Sequence, residues 1–523
     1  MTIEVPTTRS GISTRTFAAS VFVVLVALLA TWAVATPRFA VPDEPAHLFK
    51  AYGTAHGEAL GTTVEGFAPT IRLFDVPHSM GTPHLPVGQG LSCYFGYPEV
   101  PADCAVGSDG AAISTAAATP PFWYMVIGGG ARLVGGATRI VAYRMMNAVV
   151  CGALFALAFA IGRNSRRRRL TPLLLVALTP ITLFLAGGVQ PSGFEIAAFA
   201  VFWSLSLHVD HPRAASATGG FAVGALFAAV LLSRFGAVLA VGTASAVVVI
   251  LLGSAGVRHF LNRRFLGALL GTTAAAVIAL AAWSRFAGAS VNDSRTASNW
   301  TRWHVITYTV GALPEIARQI VGVLGWLDTS LPFGAYLLYG VFTLMLITGV
   351  GLSRNRRLIA AAIALIAALA VVPVVVNLIS APTAGLIWQG RYSVPLFLGL
   401  GVLGMMGWGR YVETSGDGRV STMVRIAACV CFAGTEVLGF WQAMRRFTVG
   451  AHGKIWLTEP LPWQPSIAPM VLIAANIIFV LSLCAVVLLG TRHETSAGDE
   501  GGQAQRASDG IDVGWGSSLT NIA

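Results

Sequence analysis

The sequence predicts an all-α protein that crosses a membrane about twelve times. Three observations predict it. Hydrophobic residues make up 55% of the chain and charged residues only 11%, where soluble domains carry about a quarter charged. Mean hydropathy is +0.70. Apolar runs long enough to span a bilayer recur along the 523 residues, with arginines gathered in short blocks between them. The net charge of +11 therefore does not indicate a nucleic-acid partner. Arginine blocks between apolar runs are what cytoplasmic loops facing anionic lipid look like.

Taken in order, residues 1–16 are polar and precede an apolar run over 17–36. Ala33-Val-Ala35 has the small-residue pattern of a signal-peptide cleavage site. The run is nevertheless long enough to span, so it reads as an uncleaved anchor with its N-terminus in the cytoplasm. Residues 37–139 are polar, aromatic and rich in Gly and Pro, too long for a mere connector. Within them, 44–60 has the spacing of a helix on the membrane surface.

The run 120–135 is apolar but short, glycine-rich and closed by Arg132. Charge decides its assignment. The next run, 140–161, ends in Arg163 and Arg166 to Arg169, five arginines in seven residues, which belong inside. The chain must then pass from outside to inside over 140–161. That leaves 120–135 as an interfacial or re-entrant helix on the outer side. Further spans follow at 170–187, 194–209, 217–232, 236–253, 265–286, 333–352, 358–379, 394–408, 426–440 and 470–489. Between them lie external loops at 287–332 and 441–468, and a polar cytoplasmic tail over 491–523 reads as disordered.

Four cysteines lie in apolar runs and read as small buried hydrophobes. Cys93 and Cys104 fall instead in the first external loop, where they are candidates for a disulfide. His78 and His84 in the same loop match no zinc spacing. The sequence carries no P-loop, dinucleotide fingerprint or nucleophile elbow, so nucleotide-driven chemistry has no support.

The stretch Val41-Pro-Asp-Glu-Pro-Ala-His-Leu-Phe-Lys-Ala-Tyr52 begins where the first span ends. Asp43 and Glu44 would sit at the membrane boundary, with His47, Lys50 and Tyr52 within one or two helical turns. Acids there either cap a helix, being favoured in its first turn, or carry chemistry. Other polar residues gather at outer span ends: Arg139, Arg144, the turn from Gly187 to Glu195, Arg234, Arg302, and Trp388-Gln-Gly-Arg-Tyr392. Positive-inside statistics disfavour arginine on this side. Singly, each can be a residue reaching for lipid headgroups; together with two acids they describe a polar site open to the outer face, with arginine forks suited to phosphate.

These same residues resemble a known family. Pro42-Asp-Glu-Pro-Ala-His47, Pro120-Pro-Phe-Trp-Tyr124, Tyr143-Arg144, Gln190-Pro-Ser-Gly-Phe-Glu195 and Gln389-Gly-Arg-Tyr392 look like the bacterial membrane-protein family called domain of unknown function 2142. That family in turn resembles the GT-C superfamily of polytopic glycosyltransferases. The resemblance implies a bacterial plasma-membrane enzyme, both termini cytoplasmic, its active site facing outward. It would pass a sugar from a polyprenyl-phosphate donor to a cell-envelope acceptor, inverting the anomeric carbon. Asp43 would be the base or would orient the acceptor, with Glu44 in support. Arg391, Lys50 and Arg144 would meet the departing phosphate, and His47, Tyr52, Glu195, Gln389 and Tyr392 would line the substrate. A divalent cation is left open. Two rival readings use the same residues: a transporter or flippase of lipid-linked glycans, and a non-catalytic envelope scaffold. The scaffold reading expects Asp43, Glu44 and Arg391 to be dispersed in space.

Overall fold

The structure, a computed structural model, describes residues 12–491 apart from 66, 69, 78–79, 81–94, 104–111, 137, 210, 235, 289–299 and 459. The expectations for Cys93, Cys104, His78, His84 and both chain termini lie outside the described residues.

Helices α1 (Thr14–Ala35) and α4 (Ile140–Arg163) form the first packed pair, with α16 (Pro469–Gly490) against α1. Ser13 starts α1 by accepting a hydrogen bond from the Thr16 amide. Phe17, Val21, Leu25, Leu28, Leu29 and Trp32 recur at three- and four-residue spacing and are buried, while Val23 on the opposite face is 63% exposed. An apolar residue left exposed in this way suits lipid.

Every one of the twelve expected spans contains helix, but not twelve uniform crossings. Among the described residues, eight helices are long and apolar enough to cross a membrane: α1, α4, α8 (Ala237–Phe260), α9 (Arg263–Ala287), α12 (Phe333–Leu352), α13 (Arg356–Ser380), α15 (Gly418–Val449) and α16. The expected span 170–187 is instead broken. A 3-10 helix, Arg168–Ala177, meets α5 (Pro180–Ala186) at 74°. Proline explains the joint: a residue preceding proline is pushed out of the helical region, and Thr179 is extended at ψ 157°. The Thr179 side chain then caps α5 through the Thr182 amide. Counting this pair as one span gives nine.

The remaining three expected spans are α6 (Pro191–Leu205), α7 (Ala217–Ser233) and α14 (Val394–Ser415). At 15 residues α6 rises only about 22 Å, short of a hydrocarbon core of about 30 Å. It is a core helix, buried on every side. By contrast α15 has 32 residues and runs through Val449, so the start of the expected loop 441–468 is helical.

The segment between α1 and α4 folds over α4. It contains α2 (Glu44–Ala55), α3 (Phe122–Leu133) and a small antiparallel sheet of β1 (Thr62–Thr63), β2 (Arg72–Leu73) and β3 (Ile113–Ser114). The surface helix expected over 44–60 thus stops at Ala55. At 12 residues, about 18 Å, α3 is too short to cross, in line with its reading as a non-spanning helix. It lies directly on α2: a Cβ at Gly128 would come 2.1 Å from the Ala51 carbonyl oxygen, so only glycine permits this approach. The loop 287–332 carries α10 (Arg302–Gly311), α11 (Leu313–Gly322) and a two-stranded ribbon, β4 (Val323–Leu324) with β5 (Thr329–Ser330).

Candidate active site at the start of α2

The two acids of the opening motif have different fates. Glu44 turns inward and is fully buried. Its carboxylate takes a two-pronged pair from Arg144 (Nε to Oε1 at 2.8 Å, Nη2 to Oε2 at 2.7 Å) and two backbone amides, Phe39 and Val189, at 3.1 Å. Arg144 is saturated too. Its remaining hydrogens go to the carbonyls of Ala33, Thr36 and Pro37, so all five N–H groups are engaged. A phosphate oxygen would have to displace one of these partners. The pair ties the end of α1, the start of α2 and the turn before α6 to α4.

Asp43 turns the other way. It holds the N-cap position of α2, yet its side chain makes no capping bond, and its backbone is left-handed at φ 61°. That conformation costs a non-glycine residue about 1–3 kcal/mol, with aspartate among the more tolerant. The carboxylate accepts a 2.6 Å hydrogen bond from Arg391 Nη2. Asp43 is 41% exposed in this pair and Arg391 only 4%.

Arg391 is delivered by the 3-10 turn Gly390–Tyr392 ahead of α14. Gly390 packs on α11, where a Cβ would meet Gln319 Cβ at 2.4 Å, and its amide donates to Gln319 Oε1 at 2.7 Å. The same Nη2 of Arg391 reaches the Tyr392 hydroxyl at 2.9 Å. Its Nε and Nη1 are buried without a hydrogen-bond partner, and so is Gln389 Oε1. Buried donors without acceptors are costly, and the planar N–H groups of a guanidinium match the oxygens of a phosphate or carboxylate.

A second arginine closes the cluster. Arg234, just after α7, lies 3.8 Å over the Tyr392 ring and contacts Ser192 Oγ at 3.1 Å and Glu195 Oε2 at 3.4 Å. The sequence places Arg234 only at an outer span end, outside the candidate site residues. Gln190 fixes the turn beneath by donating to the Pro42 carbonyl at 2.6 Å, and Asn147 by donating to the carbonyls of Leu185, Ala186 and Gly188.

His47 follows Asp43 by one turn of α2, and its Nδ1 lies 2.8 Å from the Tyr124 hydroxyl. Burial first, then the positive charges of Arg391, Arg234 and Lys50, lower its pKa to about 3 against the pull of Asp43, so the imidazole is neutral at pH 7. For Asp43, burial works upward, and Arg391 with its neighbours outweighs it, leaving the carboxyl below its ordinary value. Lys50 is fully buried, donates to the Ala117 and Thr119 carbonyls, and sits over the rings of Tyr124 and Trp283. Burial lowers its pKa to about 7. Tyr52 stacks on His56 at 4.1 Å, about 13 Å along the helix from Asp43. Among the described residues no three His, Cys, Asp or Glu side chains form a group able to hold a metal ion.

A model of the family described as a predicted membrane protein, DUF2142, matches residues 26–400. The chain belongs to that family. Asp43, Arg144 and Arg391 all fall within the DUF2142 stretch. This multi-pass membrane protein is also similar to two crystal structures of ArnT from Cupriavidus metallidurans, one bound to undecaprenyl phosphate and one in the apo state. Each is 14% identical with a TM-score of 0.46. The alignments cover 90% and 92% of the DUF2142 chain and 76% and 77% of the ArnT chains. A comparison with curated proteins returns no match.

Proposed function

We propose that this protein is a GT-C-like membrane glycosyltransferase that moves a sugar from a polyprenyl-phosphate donor to a hydroxyl of a cell-envelope acceptor at the outer membrane face. The observation that carries the reading is Arg391: a buried guanidinium joined to Asp43 on one side and left with two nitrogens, Nε and Nη1, without a hydrogen-bond partner.

In this reading the donor phosphate fills the open positions on Arg391, with Arg234 as the second cation, and both stabilise charge as the lipid phosphate departs. Asp43, ionised and partly exposed, accepts the proton of the incoming hydroxyl as it attacks the anomeric carbon with inversion. Neutral His47 and Tyr124 line the acceptor side, and Glu195, Gln389 and Tyr392 set the arginines. Glu44 and Arg144 act by position, holding the backbone that presents Asp43, and Lys50 pins the loop over 117–119. Tyr52 contributes to the packing of α2. Both termini are cytoplasmic. The close approach of Asp43 to Arg391 runs against the dispersed arrangement that a scaffold would have.

The test is Asp43→Asn in proteoliposomes supplied with a polyprenyl-phosphate-linked sugar and envelope glycan acceptors. General-base loss predicts a fall in transfer of about 10²–10⁴-fold with insertion unchanged. Undiminished transfer would overturn the assignment of Asp43. Movement of the intact lipid-linked glycan across the bilayer without transfer would establish the flippase reading instead.

A further inference from the structure

Asp43 and Arg391 come from opposite ends of the stretch that matches the family, and Asp43 is 41% exposed in their pair. A partly exposed ion pair is worth little by itself and cannot hold two long segments at a fixed distance. The spacing has to be imposed through the backbone, and one short stretch of chain grips the backbone on both sides. Helix α11 runs directly into the β4–β5 ribbon. From α11, Gln319 Oε1 accepts the Gly390 amide hydrogen at 2.7 Å, next to Arg391. From the tip of the ribbon, Trp326 Nε1 donates to the Phe39 carbonyl at 2.9 Å, just ahead of the Asp43 motif.

Both ends of this grip are stiff. The ribbon turn holds Gly325 and Leu327 at φ 61° and 66°, a left-handed conformation that leucine adopts only under constraint. Asp328 of the same turn accepts from Arg446 Nη2 of α15 at 3.4 Å and from the Gly96 amide at 3.2 Å. The Tyr336 hydroxyl ties the ribbon to α11, donating to the Gly322 carbonyl at 2.6 Å and accepting the Leu331 amide hydrogen at 3.0 Å. On the far side Phe39 is itself left-handed at φ 63°, and its amide donates to Glu44. A displacement of Trp326 is therefore passed to Glu44, the residue beside Asp43. Both contacts seize main-chain groups, which leaves the Asp43 and Arg391 side chains free to meet each other and a ligand.

We propose that Gln319 and Trp326 are paired positioning residues: α11 and the ribbon form one bracket that presets the spacing of Asp43 and Arg391 before a lipid phosphate arrives. A preset geometry spares the ligand the cost of ordering it, so the bracket contributes to affinity without touching the ligand. Releasing either end frees the same spacing, so the two residues act as a unit rather than additively. This role rests on Arg391 holding the lipid phosphate, and it extends that reading to residues that do not touch substrate.

The test is titration of a polyprenyl phosphate against the full chain in lipid nanodiscs, comparing wild type with Gln319→Met, Trp326→Phe and the double variant. Each single change deletes one hydrogen bond and keeps most of the side-chain bulk, so affinity should fall about three- to tenfold. The double variant should bind at most about twofold more weakly than the worse single one. Trp408→Phe is the control, because Trp408 also donates its indole hydrogen to a carbonyl, that of Met345, but outside the bracket. It should leave affinity unchanged even where it lowers the melting temperature. Losses that add fully in the double variant, or an equal loss in W408F, would overturn the proposal. Hydrogen exchange without ligand separates that outcome from failure of the phosphate reading: W326F should speed exchange at Gly390, and Q319M at Phe39, each across the site from the substitution. If wild type binds no polyprenyl phosphate yet both remote changes occur, the bracket stands and the phosphate assignment falls. Changes confined to the substituted side overturn the bracket, and should one single variant fail to fold, the other decides by the same exchange.

Discussion

Arg391 Nη2 and Asp43 Oδ2 meet at 2.6 Å although 348 positions separate them in the chain. The contact joins the segment between α1 and α4 to the turn before α14. It spends only one of the guanidinium's edges, since Nε and Nη1 stay open. Arg391→Lys keeps a cation for Asp43 but removes the planar fork. Binding of a polyprenyl phosphate should weaken about ten- to hundredfold, matching about 1.5–3 kcal/mol for hydrogen bonds to a charged group, while the protein still folds. Titration of the lipid phosphate against both proteins checks this; equal affinity would remove Arg391 from the binding site.

The buried Glu44–Arg144 pair should behave as a strut. Arg144→Met leaves Glu44 charged, buried and held by backbone amides alone. A loss of about 3–5 kcal/mol is expected for stranding one member of such a pair. Replacing both residues with leucine should recover part of it. Thermal unfolding of the purified variants reads the difference directly, and a mild effect of Arg144→Met would refute the strut.

His47 supplies a pH dependence whose sign can be worked out. Its pKa is about 3 in the folded protein against 6.5 for the free side chain. Between those values the unfolded chain binds more protons, so stability rises with pH and is lost as pH falls through 6.5 toward 3. Asp43 adds a term of the same sign, confined to the region at and below 3.8. Above 3.8 and below 6.5, His47→Asn should therefore flatten the dependence of melting temperature on pH. A slope equal to that of wild type would show that the imidazole titrates normally.

Two adjacent glycines give a controlled comparison at the α2–α3 crossing. A Cβ on Gly128 collides with the Ala51 carbonyl oxygen, whereas one on Gly129 meets nothing within 4 Å. Gly128→Ala should destabilise by about 1–3 kcal/mol, as overpacking does, and pull Tyr124 from His47. Gly129→Ala should be neutral or slightly stabilising, because alanine favours helix. Similar melting temperatures for the two variants would contradict the packing described.

Much of this was legible in the sequence, for a physical reason: apolar length reports helices in a membrane with little ambiguity. The arginine block at 163–169 removed 120–135 from the list of spans, and that segment is a 12-residue helix. The Asp43 motif and the Gln389–Tyr392 motif, far apart in the chain, meet. What hydropathy could not register was geometry within a run. The segment 170–187 is uniformly apolar, so its 74° break was invisible to an average, although Pro172 and Pro180 signalled it. The division of labour between Asp43 and Glu44 was likewise closed to sequence, because adjacent residues at a helix start can point to opposite sides. Lys50 read as a phosphate ligand from its charge, and only the fold shows its ammonium spent on two carbonyls.

The left-handed backbone at position 43 reaches beyond this molecule. Asparagine and glycine adopt that conformation readily, and both are neighbours of aspartate in the genetic code; alanine or a β-branched residue would strain the turn as well as delete the carboxylate. Lineages that lose the proposed activity should therefore drift first to asparagine or glycine here, keeping the fold as an inactive copy.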